Sequence, residues 1–522
     1  MRSSVPIVLI AALLVPSAHA PASFELEEAT IEQLQQGMQS GRYTARGLAE
    51  LYLKRIGQID RSGPTLRSVI EVNPDALGIA DTLDAERRTR GPRGPLHGIP
   101  ILIKDNIDTA DRMATTAGSL ALEGSIAARD ALIVQRLRAA GVVLLGKTNL
   151  SEWANFRSTK STSGWSARGG QVKNPYVLDR NPCGSSSGTA AAISANLAAV
   201  GVGTETDGSI VCPAGATGLV GIKPTIGLVS RSGIVPIAHS QDTPGPMART
   251  VADAATLLAA MAGPDPRDPE TKRSTGRTID YTRTLNRDAL RGARIGVARK
   301  RYFGYSPGAD RLVEAAIEEM KARGAVIVDP ADVSTVDQLD ACEFDVLLYE
   351  FKTDLNAYLG ARPSARVRSL KEIIAFNEQY KDREMPYFGQ DIMLMAEEKG
   401  PLTSPAYRKA HATCRTLART DGLDATMKKF RLDAIVAPTG APAWPIDHVN
   451  GDHVLGASSP LAAVAGYPNV TVPAGEISGL PIGISFMGRA WSEAKLIGLA
   501  YAYEQATSKR RPPRFLPTVT LE

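Results

Sequence analysis

The chain has 522 residues, enough for one large α/β domain or several smaller ones, and its 43% apolar and 22% charged residues are ordinary for a globular protein. Sixty lysines and arginines stand against 55 acidic residues, a surplus of only five, with no dense basic run to neutralise a phosphate backbone. That balance argues against nucleic acid as a partner. The first 22 residues carry Arg2, an apolar run from Val5 to Val15 and small residues at Ala18, Ala20 and Ala22. This is the layout of a cleaved secretory signal, cut after Ala20 or Ala22, and the run is too short for the roughly 20 apolar residues of a membrane span. The expected mature protein, residues 23–522, is soluble, exported and free of the membrane.

Residues 31–59 show apolar positions at helical spacing, broken at Gly41, so two N-terminal helices are expected. "GPLHGIPILIKDN" then sets the apolar run 99–103 between Pro/Gly punctuation and Lys104, a buried strand that ends at a lysine. "DALIVQRLRAAGVVLLGKTN" reads as a helix, a cap at Gly141 and a strand over 142–145. Residues 141–148 also spell G-x-x-x-x-G-K-T, the formula of a phosphate-binding P-loop. A helix, not a strand, precedes Gly141, and Val-Val-Leu-Leu is itself strand-like, so ATP binding is not expected.

Further along, residues 263–287 are polar and Pro-rich, as in a surface connection. "RGARIGVARK" and "GAVIVDP" read as strands around the helix "DRLVEAAIEEMKARG", residues 340–429 are mostly helical in pattern, and "LDAIVAPTGAPAWP" returns to strand and loop. The four cysteines, Cys183, Cys212, Cys342 and Cys414, contain no C-x-x-C pair, so no metal is implied. Export permits disulfides, but in a chain this long they read as small buried thiols.

"GSSSG" at 184–188 fits the G-x-S-x-G elbow of α/β-hydrolases with Ser186 at its centre. That elbow needs a buried strand running into the first glycine, whereas "VLDRNPC" is a loop, and His239, His411, His448 and His453 sit in no recognisable partner motif. Ser186 is therefore read as a decoy. After a helix expected over 189–200, a small-residue strand opens into a turn carrying Thr206, Asp207, Gly208 and Ser209. Such a turn can align backbone N–H groups beside a serine hydroxyl, as an oxyanion hole requires.

"KDN" at 104–106, "GSSSG", "GTETDGSIVCPA" at 203–214, "GIKPTIGLVSRSG" at 221–233 and "DTPGPMARTVADAA" at 242–255 together resemble the amidase signature family, and the likeness runs in matching order over roughly residues 30–507. Within it, the export signal and "GTETDGSIVCPA" look most like secreted bacterial peptide amidases. The resemblance implies a single α/β domain, a central mixed β-sheet flanked by helices. It also implies a Ser–Ser–Lys triad with Lys104 as base, Ser185 as bridging serine and Ser209 as nucleophile, and an oxyanion hole from the backbone of Thr206, Asp207, Gly208 and Ser209. A buried lysine is the chemical requirement, since an amine near its usual pKa of about 10.4 cannot accept a serine proton at neutral pH. No cofactor or metal is implied, and the partner is a small amide substrate bound by a monomer. Cys183, Ser187 and Asp207 depart from glycines common in the family. Rival expectations are an amidase of aryl or aliphatic amides, the ammonia-supplying amidotransferase subunit, which export argues against, and a non-catalytic exported peptide-binding protein.

Overall fold

The computed structural model describes residues 24–520 apart from Thr278, so the expected signal segment and its cut site lie outside the described residues. In chain order the strands are β1 (Val69–Val72), β2 (Pro100–Lys104), β3 (Val143–Thr148), β4 (Trp165–Ser166), β5 (Gly170–Gln171), β6 (Val200–Glu205), β7 (Val220–Lys223), β8 (Thr243–Ala248), β9 (Arg294–Val297), β10 (Val326–Val328), β11 (Ala434–Pro438), β12 (Asn469–Ile477) and β13 (Leu480–Met487). Eleven of them form one sheet in the order β1-β3-β2-β6-β8-β7-β12-β13-β11-β9-β10, with β4 and β5 paired apart. β3, β2 and β6 run parallel, as do β11, β9 and β10, while the strands between are antiparallel. The sheet is thus mixed, with helices flanking it, as the resemblance implied. Every residue of β2, β3, β6, β11 and β13 is buried, which explains why these segments read as continuous apolar runs and not as alternating ones.

The two N-terminal helices are Ile31–Gln39, closed by a Thr30/Gln33 capping box, and Ala45–Arg55, capped by Thr44. β2 ends on Lys104 as expected. β3 is longer than its apolar core suggested, because residues through Thr148 pair with β2 on one side and β1 on the other. Lys147, the lysine of the P-loop formula, is buried and donates to Ile107 O (2.6 Å) and Thr115 Oγ1 (2.9 Å), so it cannot reach a phosphate.

Three expectations need correction. The helix expected over 189–200 spans Ser187–Ser194, because Asn196 takes a left-handed φ of 59° and its Oδ1 accepts Glu28 N at 2.8 Å, which reverses the chain before β6. The connection over 263–287 is not merely superficial: Asp265, Asp268 and Thr271 are buried, and Asp268 binds the Arg231 backbone and guanidinium. Finally, the cysteines are not free thiols. Cys183 bonds to Cys212 and Cys342 to Cys414, with Cα–Cα distances of 6.0 and 5.6 Å, since chain reversals bring together residues 29 and 72 positions apart.

Candidate active site

Lys104 closes β2, the third strand from the β1 edge of the sheet, between β3 and β6, and its side chain is fully buried. Its Nζ lies 2.7 Å from Ser185 Oγ, 2.9 Å from Thr204 Oγ1 and 3.3 Å from Thr204 O. Asn106 Nδ2 donates to the same Thr204 Oγ1 at 3.0 Å and so fixes that hydroxyl. Burial pushes the lysine down to about 7, against the opposing pull of the Asp242 and Glu205 carboxylates.

Ser185 follows a cis peptide bond from Gly184 and is buried. Its carbonyl accepts Ser151 N at 3.1 Å. Gly184 has to be glycine, since a β-carbon there would stand 2.2 Å from Ser151 Oγ. Ser186 points elsewhere. Its hydroxyl donates to Thr204 O (3.0 Å) and accepts Thr204 N (3.2 Å), a clasp that holds β6 in place under Lys104. Gly203 makes that close approach feasible, because a β-carbon there would come within 2.7 Å of Ser186 Oγ. Ser187 likewise spends its hydroxyl on Cys183 O, at 2.7 Å.

Ser209 is brought next to this group by the turn after β6, where Ser186 N donates to Ser209 O at 3.1 Å. The turn depends on Gly208, at φ 74°, and on Glu205, whose Oε2 accepts Ile210 N (2.7 Å) and Val211 N (3.0 Å). Among the described residues the N–H groups of Asp207 and Ser209 have no such partner, while that of Gly208 faces the Glu205 carboxylate. The Asp207 side chain is half-buried, with Oδ1 unpartnered among the described residues. Burial, reinforced by Glu205 and opposed by the Ser459 hydroxyl and Lys223, pushes this carboxyl up to about 7. Thr206 Oγ1 donates to Asp242 at 2.6 Å, and Asp242 Oδ2 in turn accepts Ile237 N and Ala238 N.

Asn106, Thr204 and Thr206 also line a cavity of about 410 Å³ together with Ile237, His239 and Tyr358. The sequence reading found no partner for His239, yet its Nδ1 lies 2.9 Å from Asp354 Oδ2 and its Nε2 3.5 Å from Glu350 Oε1. The pair could not be read from a sequence spacing of over a hundred residues. Among the described residues no hydrogen bond links His239 to Ser185, Ser186 or Ser209. His239, Glu350 and Asp354 have the composition of a metal cluster. These carboxylates already serve protein donors: Asp354 Oδ2 takes the His239 N–H and ring nitrogen, and the two oxygens of Glu350 take Ser240 N and Tyr407 Oη. His448 stacks on Tyr387, 4.0 Å between centroids, and His411 on Tyr407.

Sequence reasoning also missed Thr204, Asn106 and Asp242. The one signal for Thr204 is its place on a strand of small residues directly before the glycine-bearing turn.

The family model described as Amidase matches residues 48–497. A probable amidase of Arabidopsis thaliana is 42% identical over 506 residues, covering 95% of this chain and 93% of the relative. The native peptide amidase of Stenotrophomonas maltophilia is 53% identical, with a TM-score of 0.91 over 94% of this chain and 99% of that one. A peptide amidase in complex with the competitive inhibitor chymostatin is 53% identical, with a TM-score of 0.92 over 94% of this chain and 100% of that one.

Proposed function

Because the chain belongs to the amidase signature family and is a hydrolase of linear amides, we propose that it removes the C-terminal amide of peptides by a Ser–Ser–Lys mechanism, releasing ammonia. The single observation that carries the mechanism is the 2.7 Å contact between Ser185 Oγ and a buried Lys104 amine held at about 7. In this reading Ser209 Oγ attacks the amide carbon as its proton passes to Ser185 Oγ, whose own proton passes to neutral Lys104 Nζ. The oxyanion accepts hydrogen bonds from backbone N–H groups of the turn Thr206–Ser209, with those of Asp207 and Ser209, which have no partner among the described residues, as the donors and that of Gly208 left to the Glu205 carboxylate. The C–N bond then breaks, the lysine returns a proton through Ser185 to the departing nitrogen, and ammonia leaves. Water cleaves the Ser209 ester by the same relay, yielding the free acid and restoring the serine.

The peptide-amide preference is supported by the 53% identity to a peptide amidase that binds a competitive inhibitor. It is tested by comparing kcat/KM for peptide amides, free amino-acid amides, anilides and internal peptide bonds. Peptide amides are expected to lead the panel by at least about tenfold, and a lead for anilides or aliphatic amides would reassign the substrate.

The enzyme works as an exported monomer in this proposal. Mass spectrometry of exported material is expected to show a chain lacking the first 20 to 22 residues, and an intact Met1 would refute the processing.

Asp207 adds a further expectation. Its carboxyl, in the turn and with Oδ1 unpartnered among the described residues, repels an anionic product acid but not a neutral amide. Asp207→Asn is therefore expected to tighten inhibition by the free-acid peptide several-fold above pH 7, where the native carboxyl is ionised, with little change in KM for the amide. Unaltered product inhibition in an active variant would leave Asp207 only a bracing role.

A further inference from the structure

We propose that the Cys183–Cys212 disulfide is a positioning element of the active site, clamping the segment that carries Ser185 onto the turn that carries Ser209. The inference rests on the Ser–Ser–Lys reading above.

Cys183 stands two residues before Ser185, and Cys212 three residues after Ser209, at the start of the helix Val211–Ala216. On the other side of Ser185, one residue later, Ser186 N donates to Ser209 O at 3.1 Å. Ser185 is therefore held between two links to the same turn, a covalent one before it and a hydrogen bond after it. At the turn end the Cys212 N–H is tied to Gly208 O at 2.8 Å, so the bridge acts on the loop that presents Ser209 and not on a distant part of the helix. At the other end Cys183 N donates to Asn181 Oδ1 at 2.8 Å, and Cys183 O accepts Ser187 Oγ at 2.7 Å.

The backbone at Cys183 points the same way. Its φ is 61°, in the left-handed region where glycine is at ease and an L side chain is strained. A glycine would suit that conformation better but could not make the bridge. The strained residue is kept where the link is made. Trp444 and Ala216 pack on Cys183, which is only 7% exposed, so the bridge also forms part of an apolar wall beside the two serines.

A proton relay is sensitive to placement, and an error of about 1 Å can cost a hundredfold in rate. Removing the clamp should therefore lower kcat and not substrate binding. In the Cys183→Gly/Cys212→Ala variant, kcat on a peptide amide is expected to fall at least tenfold with KM within about threefold. Labelling of Ser209 by a serine-reactive phosphonate should slow by the same factor as kcat. A cooperatively melting variant with kcat within twofold of the parent overturns the proposal.

Should that variant not fold, a Cys342→Ser/Cys414→Ser background leaves Cys183–Cys212 as the one remaining bridge. Titration with a dithiol, which leaves as its own cyclic disulfide while the bridge takes up two electrons and two protons, is expected to lower kcat in step with the thiols exposed. Reoxidation should restore it. Full kcat with both thiols alkylated overturns the proposal. Ser209→Ala measured alongside separates the two readings: if it retains turnover, the triad and the clamp fall together, and if it is inactive while the bridge-free enzyme keeps its kcat, the clamp alone falls.

Discussion

Replacing Ser209 with alanine is expected to lower kcat for a peptide amide by roughly 10⁶-fold, the scale seen when a serine nucleophile is removed from a working relay. The neighbouring serines Ser186 and Ser187 are not placed to substitute. Ser186 is fully buried and committed to both the N–H and the carbonyl of Thr204, and Ser187 is committed to Cys183 O. Ser185→Ala keeps the nucleophile but severs its path to Lys104, and a loss of about 10³-fold or more is expected. Ser186→Ala is the informative contrast. It leaves the Thr204 N–H without its partner, which costs about 1–3 kcal/mol of stability, but turnover should stay within about tenfold of the parent. Steady-state kinetics and thermal melts on the three variants check the order, and a phosphonate adduct found on Ser186 by peptide mass mapping would overturn it.

Lys104 carries the second large effect. At pH 7 an amine left at 10.5 would be neutral in about three molecules in ten thousand, whereas one held near 7 is neutral in about half. Only the neutral form accepts the proton, so log kcat/KM is expected to fall by about one unit for each pH unit below 7 and to level off above it. The carboxylates facing the amine, Asp242 and Glu205, favour its charged form. Asp242, itself pushed up to about 6 by burial, loses its charge on acidification and rounds the profile there. Lys104→Arg keeps the charge but does not release a proton, and Lys104→Met fills similar space without an amine. Both are expected to lose about 10³-fold or more, and the acid limb should vanish from any residual activity. A folded Lys104→Arg enzyme with near-normal turnover would contradict the mechanism.

Part of the candidate site was legible in the chain before any fold was known, because the motifs that carry the family resemblance, and with it the roles expected of Lys104, Ser185 and Ser209, lie in short, punctuated blocks. Lys104 ends an apolar run between Pro/Gly turns, and Ser185 and Ser209 sit in glycine-bearing turns at the two ends of one small-residue helix–strand unit. The β-α-β unit of β9, the helix Pro307–Ala322 and β10 was equally plain, since strand and helix periods alternate there. What could not be read depends on contacts between distant segments. The pairing of Cys183 with Cys212 requires the chain to fold back through β6, and a thiol and half a disulfide look alike in sequence. Nothing around His239 marks Asp354 as its partner, because the two meet only when a helix from the second half of the chain packs over the cavity. Asn196 ended its helix early through one backbone torsion and a bond to Glu28, neither of which any periodicity encodes.

The buried lysine also sets how the folded state responds to protons. Between about 7 and 10.5 the unfolded chain holds a proton on Lys104 that the native chain does not, so unfolding takes one up and stability climbs with pH across that window. Below about 7 both states are protonated and the penalty stays at its full size, on the order of 5 kcal/mol for a displacement from 10.5 to about 7. This is a large fraction of the 5–15 kcal/mol that typically separates a native domain from its unfolded chain. The amine proposed as the base is thus among the strongest local forces working against the native state, and the dense packing of β2, β3 and β6 around it must be strong enough to hold it there.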